Sequence, residues 1–269
     1  MYVLFFTSLN FGQDRVDYSA EWRTGKNESF GVEYKKSQLL TSKICRFDLS
    51  NFWLSKERSA DGILGTTYER IQFFITQTQK CNDSIYQVKG KNRIKGLVSK
   101  FEGTIKVTSV FNESYMDCDN GGEEDCKTVL VIAECRFEEP SDQKSSGVFT
   151  GVMQTHLDFI PKQNTLTFNE GTTISDKYYQ NNTFVGVWKS NKSGIKKKCV
   201  FGDYALPWEF LEDFRKYYGG VTSKYRKNGW DTYGVYDDKN QTFIVHKDKA
   251  KFKLSNDLED SRTKICIRN

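Results

Sequence analysis

From Leu97 to Val107, Leu97, Phe101, Gly103, Ile105 and Val107 fall on one side of an extended chain, and Lys100, Glu102, Thr104, Lys106 and Thr108 on the other. This period of two marks a strand with one buried and one wet face. The alternation recurs at Thr128 to Phe137, where Val129, Val131, Cys135 and Phe137 share a side. It recurs again at Gly147 to Phe159, where Phe149, Met153, Leu157 and Phe159 align. Upstream, a meander is predicted: a strand from Tyr68 to Thr78, a turn at Lys80 to Asp83, a strand from Ile85 to Val88, a turn at Gly90-Lys91-Asn92, then a long strand from Ile94. Shorter strands are predicted at Thr165 to Phe168, Phe184 to Ser190, Cys199 to Phe201, Thr242 to His246 and Lys264 to Ile267. Phe30 to Lys36 and Leu39 to Phe47 also read as strands, with Trp53 in a short helical or loop segment. The whole predicts an all-β, mainly antiparallel chain built as a coiled sheet, barrel or sandwich.

One helix interrupts this, near residues 208–218. Pro207 stands at its first turn, Gly219-Gly220 follow its end, and Phe210, Leu211, Phe214, Tyr217 and Tyr218 form an apolar stripe. Residues 13–269 are therefore read as one β-rich domain, with a helix-containing C-terminal extension from about residue 205.

Three predicted strands carry the same small pattern, Phe101-x-Gly103-x-Ile105, Phe149-x-Gly151-x-Met153 and Phe184-x-Gly186-x-Trp188. Each would turn a glycine inward between two large apolar groups, which relieves crowding or permits a sharp bend in a coiled sheet. Over residues 94–190 the chain thereby resembles lipocalin-like (calycin-like) exported barrels, in which successive hairpins wrap a core and Gly-x-Trp marks a strand. Gly186-Val187-Trp188 matches that motif, although in lipocalins it stands on the first strand and here it comes late. The resemblance implies a β-barrel and does not specify a ligand.

Composition fits a folded core, with 14% aromatic residues and three prolines in 269. The net charge of +5 is a mild bias spread along the chain, and no nucleic-acid motif accompanies it, so nucleic acid is not an expected partner. Residues 1–12 are apolar, end in small residues and precede the polar run Gln13-Asp14-Arg15, the layout of a signal peptide shortened at its basic start. A buried strand is the other reading of that segment. No run approaches the roughly 18 apolar residues of a membrane-spanning helix. The expected location is secreted or periplasmic.

Seven cysteines show no paired metal-site spacing, and export favours disulfides. Cys118 and Cys126, which bracket an acidic glycine-containing loop, are the first predicted pair. The odd count leaves one thiol free, or available to link a dimer. Sequons occur at Asn27, Asn82, Asn112, Asn181, Asn191 and Asn240 and fit surface loops.

Catalytic parts are scarce. There are two histidines, His156 and His246, and no nucleophile elbow, zinc-protease motif, phosphate loop or dinucleotide fingerprint. His156 alternates with Gln154 and Asp158 on a polar strand face and reads as a hydrated surface residue. The acidic loop Asp117 to Asp125 fails the spacing of a calcium site, and Lys196-Lys197-Lys198 reads as a hydrated hairpin tip. Cys199 to Trp208 combines a glycine turn, an acid and large aromatics, which suits either a packing plug or an aromatic ligand surface. The leading expectation is a non-enzymatic barrel binding a small apolar molecule or glycan, with Trp188, Trp208, Trp230, Tyr204 and Phe149 at the site and neither metal nor cofactor. The alternatives are a carbohydrate-active hydrolase, whose paired carboxylates would face one another at about 5–10 Å, and a structural or interaction module.

Overall fold

The structure is a computed structural model and describes residues 38–55, 60–113, 118, 125–143, 145–171, 180–204, 221–231, 235–237 and 242–244. Lys95 (φ 49°) and Gly96 (φ 82°) both adopt the left-handed conformation, so the chain reverses in two residues between β3 (Ile85–Ile94) and β4 (Leu97–Asn112). Such turns match the twist of the strands they join. The remaining strands of the main sheet are β1 (Ala60–Leu64), β2 (Glu69–Lys80), β5 (Lys127–Glu138), β6 (Gly147–Ile160), β7 (Thr165–Phe168), β8 (Gln180–Ser190) and β9 (Lys196–Tyr204). Every neighbouring pair is antiparallel, in the order β1-β2-β3-β4-β5-β6-β8-β9, and β9 pairs back onto β1. The result is a closed eight-stranded meander barrel. Strand β7 adds to β6 at Leu157–Ile160, beyond the stretch that β8 occupies. A separate three-stranded sheet holds β10 (Val221–Thr222), β11 (Val235–Asp237) and β12 (Thr242–Ile244).

Phenylalanines fill the bore. Phe184, Phe201, Phe73 and Phe101 form a continuous stack with centroids 4.6, 4.1 and 4.3 Å apart, and Phe137 and Phe149 lean against it. Glycines make the room. Gly62 pairs with Phe201, Gly90 with Phe101 and Gly103 with Phe137, while Gly151 and Gly186 face each other. A Cβ on Gly186 would stand 2.7 Å from the Gly151 Cα and 2.8 Å from the Phe184 ring, closer than packing permits. The inward glycines read from the Phe-x-Gly repeat are thus the seats of the ring stack.

Several expectations change. Gly90-Lys91-Asn92 is not a turn but the middle of β3: Gly90 lies under Phe101, and the reversal falls at Lys95-Gly96. Leu97, at that reversal, is 44% exposed. Lys196-Lys197-Lys198 begin β9 instead of forming a hairpin tip. Leu39 to Phe47 contains a helix, α1 (Gln38–Ile44), followed by α2 (Ser50–Trp53). In α1 the helical period wins: Leu40 and Ile44 pack on the core while Leu39 is exposed. The Lys80 ammonium donates to the carbonyls of Cys45 (2.6 Å), Arg46 (3.2 Å) and Phe47 (2.8 Å), which follow the helix, and so pins the segment between α1 and α2 to the end of β2. A register shift in β4 between Val107 and Ser109 frees the Val110 N–H to donate to Thr41 Oγ1 at 2.9 Å, which docks α1 on that strand. The predicted helix at 208–218, the strands at Phe30 to Lys36 and Lys264 to Ile267, and residues 1–12 lie outside the described residues.

Candidate functional site

The two barrel ends differ in their connections. At one, the base, short links join β1 to β2, β3 to β4, β5 to β6 and β8 to β9. At the other, the mouth, α1 and α2 cross the opening. Trp53 of α2 points into the bore, buried, with its ring edge-on to Tyr86 at 4.8 Å and its Nε1–H donating to Thr155 Oγ1 at 3.0 Å. Thr155 donates to Asn182 Oδ1 (2.9 Å), and Asn182 Nδ2 donates to both the Phe52 carbonyl (2.8 Å) and Asp203 Oδ2 (2.9 Å). Asn182 sits at an irregularity of β8 with φ 44°, a left-handed conformation that asparagine tolerates better than most residues. That bulge turns its amide toward the mouth, where it ties the α2 lid to three strands.

Beneath the lid, above the phenylalanine stack, lies a cavity of about 730 Å³. Its walls are Phe52, Trp53 and Leu54 of the lid, Phe73, Ile75, Met153 and Phe201 of the bore, Ala60 at the start of β1, and Leu166 and Phe168 of β7. Polar groups gather with Asn51, Ser55, Thr167, Glu170, Asn182 and Asp203. The volume lies within the roughly 300–1,000 Å³ of small-molecule sites, and an eight-stranded barrel has room for one such ligand.

Of the residues expected at a ligand site, Phe149, Trp188 and Trp230 lie elsewhere. Phe149 is inside the ring stack, fully buried. Trp188 lies at the base, where its Nε1–H donates to Glu139 Oε2 at 3.0 Å; Glu139 also accepts from Gly147 N (2.7 Å) and Asn92 Nδ2 (2.8 Å). Trp230 is on the outer wall, packed with Ile63, Val185, Val200 and Val221, donating to the Tyr68 carbonyl at 2.7 Å beneath the Arg70 guanidinium. The Tyr204 side chain and Trp208 lie outside the described residues. Of the residues in the three Phe-x-Gly repeats, only Met153 reaches the cavity wall; Asn182, on the same strand as the third repeat, reaches it from outside the repeat. No sequence pattern marks Trp53, Phe52, Phe168 or Asn182 as cavity residues, whereas Asp203 is the acid of the segment Cys199 to Trp208.

A second polar cluster lies on the outer face of β5 and β6. His156 is buried there, not hydrated, with Nδ1 2.5 Å from Glu113 Oε2. Fully buried Asp158 accepts from Thr128 Oγ1 (3.1 Å) and Asn169 Nδ2 (2.7 Å), and Asn181 bridges the backbones of His156 and Asn169. Asn181 is itself fully buried, so its sequon is closed to glycosylation in this fold. The predicted Cys118–Cys126 disulfide is present beside this cluster. Both sulfurs and an Asp158 carboxylate oxygen lie within 4.8 Å of one another, but sulfurs joined to each other offer no thiolate to a metal. Cys81 is also disulfide-bonded. The described free thiols, Cys45, Cys135 and Cys199, are buried, and burial raises the pKa of each. A link to a second chain through Cys135 or Cys199 would require opening the barrel, and one through Cys45 would require displacing the lid segment.

Fold and cavity together define a lidded, eight-stranded antiparallel meander barrel with a disulfide that fits an oxidising compartment. Comparison with protein-family models, curated proteins and solved structures finds no match for this chain. No described helix is long and apolar enough to cross a membrane.

Proposed function

We propose that the chain is an exported, lipocalin-like barrel that holds one small molecule with an apolar body in its mouth cavity. The cavity carries this reading: ten of its sixteen described lining residues are apolar, and they border the space between the ring stack and the helical lid. That lining favours the apolar ligand over the glycan. Export is supported by the signal-like residues 1–12 and by the Cys118–Cys126 disulfide. The working molecule is then residues 13–269 acting as one domain.

The test is titration with 1-N-phenylnaphthylamine, a neutral apolar probe that brightens out of water. The wild-type chain should give a saturable signal at about one probe per chain, the capacity of one pocket of this size. Ala60→Trp should abolish it while leaving the far-UV spectrum of the barrel intact. A wild-type chain that gives no saturable signal would sink the proposal.

The hydrolase reading keeps one supporting observation, since Glu170 and Asp203 both line this cavity. Turnover of aryl glycosides that is lost on Glu170→Gln or Asp203→Asn would favour it over simple binding.

A further inference from the structure

We infer that one side of the barrel base docks on the surface of an anionic bilayer. Four large apolar side chains are exposed among the described residues, Leu39, Leu97, Val98 and Ile195. Leu39 belongs to the lid helix α1, but the other three stand at two base hairpins: Leu97 and Val98 just past the Lys95-Gly96 reversal, and Ile195, 58% exposed, just before β9. Apolar groups gathered at strand tips, where no core asks for them, mark a surface that meets something else.

The β1–β2 link holds these tips together with a third basic segment. Glu69, just after that link, takes the ammonium groups of Lys95 at 2.5 Å and Lys197 at 3.1 Å, so the β3–β4 and β8–β9 hairpins meet on one carboxylate. The Thr67 carbonyl accepts from Asn228 Nδ2 (2.6 Å) and the Tyr68 carbonyl from Trp230 Nε1 (2.7 Å), which seats the short 3₁₀ helix Ser223–Asn228 beside them. An open groove lies between Lys95 and that helix, lined also by Lys224, Arg226, Lys227 and Asp231. Residues 65–69, 95–98, 190–197 and 221–231 together carry seven basic side chains and two acidic ones, Glu69 and Asp231, a formal +5 equal to the net charge of the whole chain. Charge that is thin along the sequence is gathered in space. Several of these groups have partners, but a paired charge still counts in the summed field that another surface meets at a distance. The fourth base link, between β5 and β6, carries exposed Glu138 and Asp142 instead, which confines the positive field to one side of the base.

Lysines around apolar tips suit a bilayer surface, where the tips enter the headgroup layer and the ammonium groups stay with the phosphates. A soluble polyanion would use the charge and leave the tips in water. The inference does not depend on the cavity, which opens at the other end and would face the solution in a docked barrel.

The experiment is flotation of the full chain with vesicles at pH 7. The chain should float with phosphatidylcholine vesicles that hold about one third phosphatidylserine, stay behind with pure phosphatidylcholine, and be released in about 0.5 M salt. Lys192→Glu/Lys227→Glu, at two exposed positions, should weaken binding about a hundred-fold. Leu97→Ser/Ile195→Ser leaves the charge unchanged and should weaken it about ten-fold. The far-UV spectrum of each variant checks that the barrel is intact. A wild-type chain that ignores the anionic vesicles, or binds both compositions alike, overturns the inference. So does a Leu97→Ser/Ile195→Ser chain that floats as well as wild type, because the surface would then bind through charge alone and its partner would be a polyanion rather than a membrane.

Discussion

The base and the mouth of this barrel are closed by different chemistry. At the base, charge does the closing. Buried Glu139 takes N–H donors from Asn92, Gly147 and Trp188, which belong to β3, β6 and β8, and Glu69 takes the ammonium groups of Lys95 and Lys197. At the mouth a lid segment is held instead, by the neutral bonds of Trp53 to Thr155, Thr155 to Asn182, Asn182 to the Phe52 carbonyl and Leu49 N to Tyr86 Oη, by the Lys80 ammonium on the carbonyls of Cys45, Arg46 and Phe47, and by the Asn182 amide on the Asp203 carboxylate. Short turns bring strand ends together at the base, so one carboxylate can reach three of them. The mouth is spanned by a lid that needs only enough bonds to stay seated, and the space it does not fill is the cavity. On this account the base is expected to be the more rigid end and the mouth the more adaptable one.

The largest test of that contrast is Glu139→Ala. It strands three buried donors that had a charged acceptor, each costing about 1–3 kcal/mol. We expect a loss of about 4 kcal/mol in urea unfolding, with the probe still bound by the molecules that remain folded. A variant that keeps its stability but loses the probe would mean that the base shapes the cavity, and the contrast would fail.

The base was easier to foresee than the mouth, for a physical reason. Alternation correctly gives the inward faces of β5 and β6, because one face of each meets the bore and period two is a local property. The Phe-x-Gly repeat likewise marks the ring stack, since each glycine makes room for a ring on its own or the adjoining strand. The cavity depends on contacts between distant residues: Trp53 meets Thr155 at a separation of 102 positions, and Asn182 meets Phe52 at 130. No local pattern carries that information. The same lack of distant context explains His156, whose polar strand face would be wet if nothing covered it; instead it is buried against Glu113. It also explains Trp230, whose aromatic neighbourhood turned out to be the outer wall.

Tyr86→Phe tests the mouth. Tyr86 is fully buried; its hydroxyl accepts from Leu49 N (3.2 Å) and donates to the Phe47 carbonyl (3.3 Å), so it holds the lid segment between α1 and α2. Losing both bonds should cost about 1–2 kcal/mol, read by urea unfolding at pH 7. Burial pushes the Tyr86 pKa up to about 12, which outweighs the opposing effect of the Leu49 hydrogen bond. The folded state therefore favours the neutral phenol. Its contribution is complete below the unfolded value near 10 and is lost as pH rises from 10 through 12. Wild type should lose stability across that window more steeply than Tyr86→Phe; parallel curves would show that the phenol does not hold the lid.

Glu69→Gln is the smallest effect and has the opposite pH sign. Burial, the largest single influence on Glu69, raises its pKa, but the hydrogen bonds and charges of Lys95 (2.5 Å) and Lys197 (3.1 Å) together outweigh it and leave the pKa lowered. A lowered carboxyl contributes stability above its unfolded value, near 4.3, that is lost as pH falls through the folded value. Both lysines are substantially exposed, so solvent screening limits the gain to about 0.5 kcal/mol. The variant should therefore be weaker than wild type by that amount at pH 7 in low salt, with the gap closing below about pH 4 and in molar salt. A gap that persists in acid would mean that Glu69 acts through packing, and the base would then rely on its buried carboxylate, Glu139, rather than on paired surface charge.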